Sequence, residues 1–264
     1  MSISLDIGGT WTRVLHDGFV TRFPTEPSYD RELAMIAAAV PPLASPLGVS
    51  FCGRLTPDGV VRVALNLREY EGRPLALDLA TLLDTPVRVA HDATCGLLGE
   101  ALSGSLQAFS RCGYLTLSTG VGAALRLGGV WLTTEAGHQL VPGNDEPCSC
   151  GQTGCLQTLT GGDALARRLG RPLEEIDDTA FWRRYAEDLA LGVANFALSA
   201  GLDAVALGGA IALTRPALWP PLRAALHRRL TYQHVEVLPA ALGETAPLTG
   251  AALLPTLPED AVLH

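Results

Sequence analysis

The sequence predicts an α/β fold built from two lobes. With 264 residues the chain exceeds a typical single domain, although one large domain would also satisfy this length. Short apolar runs bounded by glycine turns, which are typical of strands, alternate with longer runs of helix-forming residues. A unit of strand, glycine turn, strand, glycine turn and strand also occurs twice, which indicates an internal duplication.

The two copies of this unit share the spacing of their glycine turns. Gly9 and Gly18 lie nine residues apart in the first copy, and Gly120 and Gly129 have the same separation in the second. Each pair is flanked by apolar runs that predict a β-hairpin followed by a third strand. Two unrelated hairpins could share such turns, so the spacing alone does not establish a duplication.

The individual elements follow from apolar periodicity and from turn and cap residues. The predicted strands are residues 2–7, 11–15, 19–23, 47–51, 60–64, 86–90, 114–118, 123–127, 130–132, 203–207 and 235–238. The predicted helices are residues 30–40, residues 74–83, a small-residue helix ending near Gly104, residues 180–199, a stretch after Gly209 and residues 247–256.

Composition and charge narrow the classes of function. Apolar residues make up 48% of the chain, which is enough for a substantial core, and the net charge of −8 gives no basic surface for nucleic acid. The N-terminus enters a strand directly, and no apolar run reaches the length of a membrane span. We therefore expect a cytoplasmic protein with no membrane partner, in which thiols stay reduced and clustered cysteines favour a metal over a disulfide.

Three cysteines within eight residues predict a metal site. The cluster consists of Cys148, Cys150 and Cys155. Gly151 and Gly154 allow the tight turns that direct three sulfur atoms inward, and His138 is the expected fourth ligand. Three thiolates and one imidazole close a tetrahedral zinc site, which is then structural rather than hydrolytic. The alternative is three buried thiols without a metal. The isolated cysteines, expected in the core, are Cys52, Cys95 and Cys112.

Glycine turns after strands indicate phosphate binding, because their backbone N–H groups can approach an anion. Asp6 precedes the first such turn and is a candidate to hold Mg²⁺ or its waters. The turn residues concerned are Gly8, Gly9 and Thr10, then Thr119, Gly120 and Gly122, and finally the late pair Gly208 and Gly209. Each turn alone is common, but their combination with an acid at Asp92 favours phosphoryl transfer.

Asp92 follows a predicted buried strand and begins a predicted helix. A carboxylate at this position can cap the helix, and it can also accept a proton from a substrate hydroxyl. Both roles can hold at once.

Together these residues resemble the ROK family (repressors, open reading frames and kinases). The motifs that carry the resemblance are DIGGT (6–10), ALNL (64–67), HDA (91–93), STGVG (118–122), TEAGH (134–138), CSCGQTGC (148–155) and the late Gly-Gly turn (208–209). The turn motifs are moderately specific, whereas E-x-G-H combined with C-x-C-G-x-x-G-C is highly specific.

The resemblance implies an actin-like ATPase (ribonuclease H-like) fold of duplicated lobes with the active site in the interlobe cleft. We expect a small lobe at residues 1–96, completed by a C-terminal helix at 247–264, and a larger lobe with the zinc site at residues 97–246. The implied activity is ATP-dependent phosphorylation of a hexose or N-acetylhexosamine. Mg²⁺ would accompany ATP, zinc would be structural, and the protein would be a homodimer.

The resemblance also implies roles for individual residues. Asp92 is the general base, the two turns bind ATP phosphates, and the late Gly-Gly turn lies near the adenosine. The residues implied in sugar binding are Asn66, His91, Asp92, Glu135, His138 and Gln157. Zinc would orient His138, so that one histidine both ligates the metal and positions the sugar.

Two departures from the family pattern concern the sugar side of the site. His91 stands where family kinases usually have asparagine, and Gln157 stands where they usually have glutamate. We expect altered sugar choice or weaker sugar affinity, with the phosphate side untouched. A catalytically weak or inactive sugar-sensing protein without a DNA-binding domain is the alternative, and a polyphosphate donor also stays open. A zinc hydrolase is disfavoured because four ligands leave no open coordination position.

Overall fold

A computed structural model describes residues 3–43 and 45–263 of the chain. The predicted beginning of the first strand at Ser2 and the predicted end of the C-terminal element at residue 264 lie outside these residues. The chain folds into two compact units. The first unit comprises the segments up to Gly99, Gly129–Thr133 and from Thr245 onward, and the second comprises Glu100–Gly128 and Thr134–Glu244.

The strands and helices are numbered in chain order. The strands are β1 (Ile3–Ile7), β2 (Trp11–His16), β3 (Phe19–Pro24), β4 (Leu47–Phe51), β5 (Arg54–Leu55), β6 (Val61–Val63), β7 (Val87–His91), β8 (Arg111–Leu117), β9 (Val121–Leu127), β10 (Val130–Thr134), β11 (Ala204–Gly208), β12 (Glu236–Pro239) and β13 (Val262–Leu263). The helices are α1 (Tyr29–Ala39), α2 (Leu75–Leu83), α3 (Asp92–Ser103), α4 (Leu156–Thr160), α5 (Gly162–Leu169), α6 (Thr179–Ala200), α7 (Gly209–Thr214), α8 (Trp219–Arg229) and α9 (Ala246–Leu253).

The first unit is organised around a sheet with the strand order β3-β2-β1-β4-β7. Strand β1 pairs antiparallel with β2 and parallel with β4, which in turn pairs parallel with β7. Every residue of β1 and β4 is buried, as expected for central strands covered on both faces. Helix α9 packs on these strands, where the Ser4 hydroxyl donates a hydrogen bond of 2.8 Å to the Leu248 carbonyl.

The second unit repeats this arrangement with the strand order β12-β11-β8-β9. Strand β8 pairs antiparallel with β9 and parallel with β11, and β11 pairs parallel with β12. The order corresponds strand by strand to β7-β4-β1-β2 of the first unit. The internal duplication predicted from the glycine spacing is therefore confirmed.

Helix α6 is the long helix of the second unit. It begins after Asp178, whose carboxylate accepts the Ala180 N–H at 2.8 Å, and it ends at Gly201 in the left-handed conformation. One face packs on α8, where Arg229 donates to Glu187 at 2.6 Å. Within the described ranges, no helix is both long and apolar enough to cross a membrane.

Most predicted elements lie within a few residues of their observed bounds, but the second unit contains helices that were missed. Helix α8 begins with Trp219-Pro-Pro, and prolines are compatible with a helix in its first turn because those N–H groups have no partner within the helix. Helices α4 and α5 are short and are separated by Gly161, so the apolar pattern of each was too brief to predict a helix. The C-terminal helix predicted for 247–256 ends at Leu253 and is followed by a 3₁₀ turn.

Glu100 at the last turn of α3 is a buried carboxylate that holds two loops of the second unit. Its Oε2 accepts the Ser105 N–H and hydroxyl at 2.7 and 2.8 Å and the Ala241 N–H at 3.0 Å, while Oε1 accepts the Leu242 N–H at 2.8 Å. A carboxylate suits four donors, because all its lone pairs accept.

Replacing Glu100 by glutamine should lower the free energy of unfolding by about 3 kcal/mol, because the amide NH₂ would face buried donors that lose their acceptor. Urea denaturation measures this change. Glu174→Gln, the same substitution at an exposed position, should stay within about 0.5 kcal/mol of the parent protein. Equal denaturation midpoints for Glu100→Gln and the parent would contradict the assigned role.

Candidate active site and metal cluster

Asp6 lies on β1 at the base of the first glycine turn, and both of its carboxylate oxygens accept hydrogen bonds. Arg13 donates to Oδ2 from Nε at 2.9 Å and from Nη2 at 2.8 Å, and the Ser50 hydroxyl donates to Oδ1 at 2.5 Å. These three donors occupy three of the four acceptor positions of the carboxylate, so Oδ1 keeps one position for Mg²⁺ or one of its waters. The same hydrogen bonds also fix the carboxylate beneath the turn.

The first turn is closely packed against Asn66. The Gly8 N–H donates to the Trp11 carbonyl at 3.1 Å and closes the turn. A Cβ atom at Gly9 would lie 2.9 Å from Asn66 Nδ2, so any larger residue at this position would require the Asn66 side chain to move. The structure therefore brings a predicted sugar-binding residue, Asn66, onto a predicted phosphate-binding turn within one unit.

Asp92 begins α3 directly after β7, as predicted. Its side chain is 30% exposed, and its Oδ1 lies 3.0 Å from His91 Nδ1 and accepts the Ala93 N–H at 2.6 Å. Burial raises the pKa of Asp92, but His91, the Ala93 N–H and Arg13 outweigh burial and lower the pKa below its ordinary value. Asp92 is thus a carboxylate at neutral pH and can accept a proton.

Asp6 and Asp92 have different electrostatic environments. Burial raises the pKa of Asp6 in spite of Arg13 and Ser50, and the charge of Asp92 raises it further. The side chain of Asp6 is only 5% exposed, against 30% for Asp92. Because its carboxylate is the more exposed of the two, Asp92 is the one that a substrate hydroxyl can reach to transfer a proton.

The second glycine turn connects β8 to β9 and is held by the helical segment behind it. The Ser118 N–H donates to the Gly120 carbonyl at 3.0 Å, and the Asp163 N–H at the start of α5 donates to the Thr119 carbonyl at 3.0 Å. Gly122 is paired with Thr116 where β9 begins. The predicted residues Thr119, Gly120 and Gly122 therefore form one turn at the end of β8.

Gln157 on α4 contacts this turn directly. Its Oε1 accepts the Val121 N–H at 2.9 Å, and a Cβ atom at Gly120 would lie 2.8 Å from that oxygen. The expectation that the two family departures leave the phosphate side untouched is therefore wrong for Gln157. Its Nε2 lies 3.9 Å from Cys148 Sγ, so one amide touches both the turn and the cysteine cluster.

The late Gly-Gly pair lies against the end of β8. Gly208 ends β11, and Gly209 begins α7 with a φ of +80°. A Cβ atom at Gly209 would lie 2.4 Å from the Leu117 carbonyl oxygen. The pair is thus beside the strand end that leads into the second turn, so the structure brings these two predicted nucleotide-binding segments together.

The four predicted zinc ligands form one cluster. Their ligand atoms all lie within 4.8 Å of one another, with Cys150 Sγ 3.7 Å from Cys155 Sγ and Cys148 Sγ 3.6 Å from His138 Nδ1. Tetrahedral zinc, with bonds of about 2.3 Å to sulfur and about 2.0 Å to nitrogen, separates such atoms by about 3.5–3.8 Å. The sulfur atoms are also much too far apart for a disulfide of about 2.05 Å. The residues therefore fit a zinc ion.

The backbone around the cysteines is a small knuckle. The Cys148 N–H donates to the Gln152 carbonyl at 2.8 Å, and the Gly154 N–H donates to the Glu146 carbonyl at 2.9 Å. Gly151 and Gly154 have φ values of +94° and +88°, a region that favours glycine. The predicted reason for these two glycines is confirmed.

The thiols of the cluster differ in acidity. Although burial raises the pKa of Cys148, hydrogen bonds from the backbone and thiol of Cys150 outweigh it and lower that pKa below its ordinary value. Burial and the neighbouring thiols raise the pKa of Cys155 to about 12. A bound zinc ion would convert these thiols to thiolates, so metal binding by this cluster would release protons.

His138 connects the cluster to Glu135. With Nδ1 facing Cys148, its Nε2 lies 3.8 Å from Glu135 Oε2. The Glu135 side chain is 44% exposed and that of His138 is 19% exposed. A metal on Nδ1 would leave the ring proton on Nε2, so that a donor and a carboxylate acceptor lie side by side.

Sequence reasoning missed Arg13 and Ser50, the two partners of Asp6. Asp6 and Arg13 are directly paired in the β1–β2 hairpin. The predicted hairpin placed these residues at similar distances on either side of its turn, so its register contained the signal for this pair. Ser50 lies on β4, beside Asp6 in the parallel ladder, and no local pattern indicates that neighbour.

Comparison with known proteins agrees with this architecture. A protein-family model described as the ROK family matches residues 25–256. An N-acetyl-D-glucosamine kinase of Salmonella paratyphi B is 31% identical over 183 residues, which cover 62% of this chain and 59% of that protein. A ROK hexokinase from Thermus thermophilus is 29% identical with a TM-score of 0.79, covering 96% of both chains. A ROK family glucokinase from Streptomyces griseus, in complex with glucose and AMPPNP, is 24% identical with a TM-score of 0.81, covering 96% of this chain and 98% of that chain.

The duplicated strand order and these structural matches define a protein of the actin-like ATPase fold, with a cluster of three cysteines and one histidine in its second unit. The chain belongs to the ROK family. The matched region spans 59% of the length of the Salmonella relative.

Proposed function

We propose that this protein transfers the γ-phosphoryl group of ATP to a hydroxyl group of a hexose or an N-acetylhexosamine. The observation that carries the proposal is Asp92, a partly exposed carboxylate with a lowered pKa, in a ROK family chain. The kinase names of the Salmonella and Thermus proteins support the same reaction class.

In the proposed reaction, Asp92 accepts the proton of the sugar hydroxyl while that oxygen forms a bond to the γ-phosphorus of ATP. The bond from the γ-phosphorus to the bridging oxygen breaks, and ADP leaves with that electron pair. The backbone N–H groups of Gly9 and Thr10 in the first turn and of Thr119 and Gly120 in the second bind phosphate oxygens, whereas those of Gly8 and Val121 already donate within the protein. The Gly208-Gly209 turn supports the nucleotide. Mg²⁺ bound with ATP supplies charge neutralisation of the phosphates.

The sugar-binding residues in this proposal are Glu135, His138 and Asn66. Glu135 and His138 offer a carboxylate and a ring N–H side by side, which suits two neighbouring sugar hydroxyls. Asn66, whose side chain packs against Gly9 of the first turn, adds an amide. Zinc held by His138 and the three cysteines would fix the imidazole ring and has no open position for chemistry of its own.

We also propose that the protein is a cytoplasmic homodimer that binds neither nucleic acid nor a membrane. Its six cysteines are free thiols, which suits a reducing compartment, and its net charge of −8 disfavours nucleic acid.

A coupled ADP-release assay over glucose, mannose, N-acetylglucosamine and N-acetylmannosamine tests the proposal. We expect turnover on the order of 1–100 per second with at least one of these sugars. N-acetylglucosamine is the first candidate because it is named in the Salmonella relative. Sugar binding in a thermal-shift measurement without ADP release from any sugar would refute the kinase proposal.

The second candidate function is a sugar-binding protein with little or no turnover. It is favoured by the contact of 3.0 Å between His91 Nδ1 and Asp92 Oδ1, since a protonated His91 would compete with the sugar hydroxyl for the carboxylate. His91→Asn, which restores the residue usual in family kinases, discriminates the two functions. A parent protein that binds sugar without turnover, and gains turnover in His91→Asn, would support this second function.

A further inference from the structure

Glu32 on α1 is a carboxyl group enclosed in the first unit. Its residue is 1% exposed, and its Oε2 accepts the Glu26 N–H at 2.8 Å. The titratable groups that face it are Glu26 and Tyr70, both acidic. In the part of the chain that the structure describes, no lysine, arginine or histidine pairs with Glu32.

A row of oxygen atoms leads from Glu32 to the first glycine turn. Glu32 Oε1 is in a short hydrogen bond with the Thr12 hydroxyl. The Thr12 hydroxyl lies 3.0 Å from the Thr25 hydroxyl, which lies 2.8 Å from the Gly8 carbonyl oxygen. The Thr25 N–H also donates to the Thr10 carbonyl at 3.0 Å, so Thr25 contacts both ends of the turn.

The number of protons available along this row of oxygen atoms indicates whether Glu32 is ionised or protonated. The three successive oxygen–oxygen contacts need three protons, and each threonine hydroxyl supplies one. The Gly8 carbonyl supplies none, so an ionised Glu32 would leave one contact with two lone pairs facing each other. A protonated Glu32 supplies the third proton. Every hydrogen bond then runs in one direction, from Glu32 to Thr12, to Thr25 and to Gly8.

We propose that Glu32 is a positioning residue for the turn at residues 8–10, acting as a neutral carboxylic acid that heads a hydrogen-bond chain ending on the Gly8 carbonyl. Burial independently raises the pKa of Glu32, although the Thr12 hydroxyl and the Glu26 N–H oppose it. The link to ATP binding rests on the proposed function, whereas the protonation of Glu32 does not.

The variant Glu32→Gln tests the protonation state, because an amide imitates a neutral acid. Its NH₂ can donate to Thr12 while its oxygen accepts the Glu26 N–H, at every pH. If the pKa of Glu32 is higher in the folded state than in the unfolded state, the proton on Glu32 stabilises the folded protein. This stabilisation is complete below the ordinary glutamate pKa and is lost as the pH rises toward the pKa of the folded state. The unfolding constant of the parent should therefore rise relative to Glu32→Gln by about tenfold per pH unit across that range.

Two further measurements accompany the stability curves. Infrared difference spectra at neutral pH should show a carboxylic acid band in the parent that is absent in Glu32→Gln and unchanged in the exposed control Glu69→Gln. A Glu32→Gln variant that is less stable than the parent at neutral pH, without that band in the parent, would overturn the proposal.

The positioning role is tested by calorimetric titration of Mg²⁺-ATP. Glu32→Ala and Thr25→Val, which both interrupt the chain, should weaken ATP binding about fivefold to tenfold, the equivalent of one hydrogen bond. Glu32→Gln should restore the parent affinity. Tight ATP binding in a folded Thr25→Val variant would refute the positioning role, even if kinase activity is present. If no sugar is phosphorylated, the protonation result still decides the state of Glu32.

Discussion

Replacing Asp92 by asparagine should lower the turnover number by about a thousandfold while the protein stays folded and still binds sugar. General base catalysis contributes about 10²–10⁴-fold, and the asparagine amide cannot accept the hydroxyl proton. The amide oxygen can still accept the Ala93 N–H that Asp92 accepts at 2.6 Å, so the start of α3 should be preserved. Steady-state ADP release at saturating ATP and sugar measures the loss, and calorimetry with sugar alone verifies binding.

The matched control is Asp84→Asn, the same change at an exposed residue with a φ of 49°, a conformation that asparagine adopts readily. It should retain the parent turnover. The lowered pKa of Asp92 further predicts that the turnover number holds as pH falls until it passes below the ordinary aspartate range, where the base becomes protonated. Unchanged turnover in Asp92→Asn would assign the proton transfer to another group.

Features that depend on nearby residues were accessible from the sequence alone. Gly151 and Gly154 were predicted to turn the chain around the thiols, and both have positive φ values. The position of Asp92 between β7 and α3 was likewise local, because an apolar run and a helix-forming run meet there. Such features are encoded within a few residues, so a single sequence is sufficient to predict them.

Features that depend on tertiary neighbours were not accessible in this way. Glu100 accepts N–H groups from Ala241 and Leu242, more than 140 residues away, and nothing near Glu100 in the sequence indicates that loop. Gln157 was expected to face sugar, and its contact with the Val121 N–H depends on how α4 packs behind the second turn. A buried acid can be recognised from the sequence only when its partners are local.

Replacing Cys150 by serine should remove the metal and lower kcat/KM for sugar on the order of a hundredfold. The parent should contain one zinc ion per chain, measured by mass spectrometry of the purified protein, and Cys150→Ser should contain almost none. Once the metal is lost, few backbone hydrogen bonds hold the knuckle from Glu146 to Cys155, and the His138 ring loses the bond that fixes its orientation. Thermal unfolding should therefore also begin at a lower temperature.

Cys112→Ser provides the matched control, because Cys112 is a buried thiol outside the cluster and its replacement should leave the zinc content unchanged. Affinity for Mg²⁺-ATP should fall much less than affinity for sugar in Cys150→Ser, since Glu135 and His138 form the sugar side of the proposed site. Gln157 connects Cys148 to the second turn only through a long contact of 3.9 Å, so removal of the metal should have little effect on nucleotide binding. An active parent protein purified without zinc would show that the four side chains pack as neutral groups, and the orientation of His138 would then need another cause.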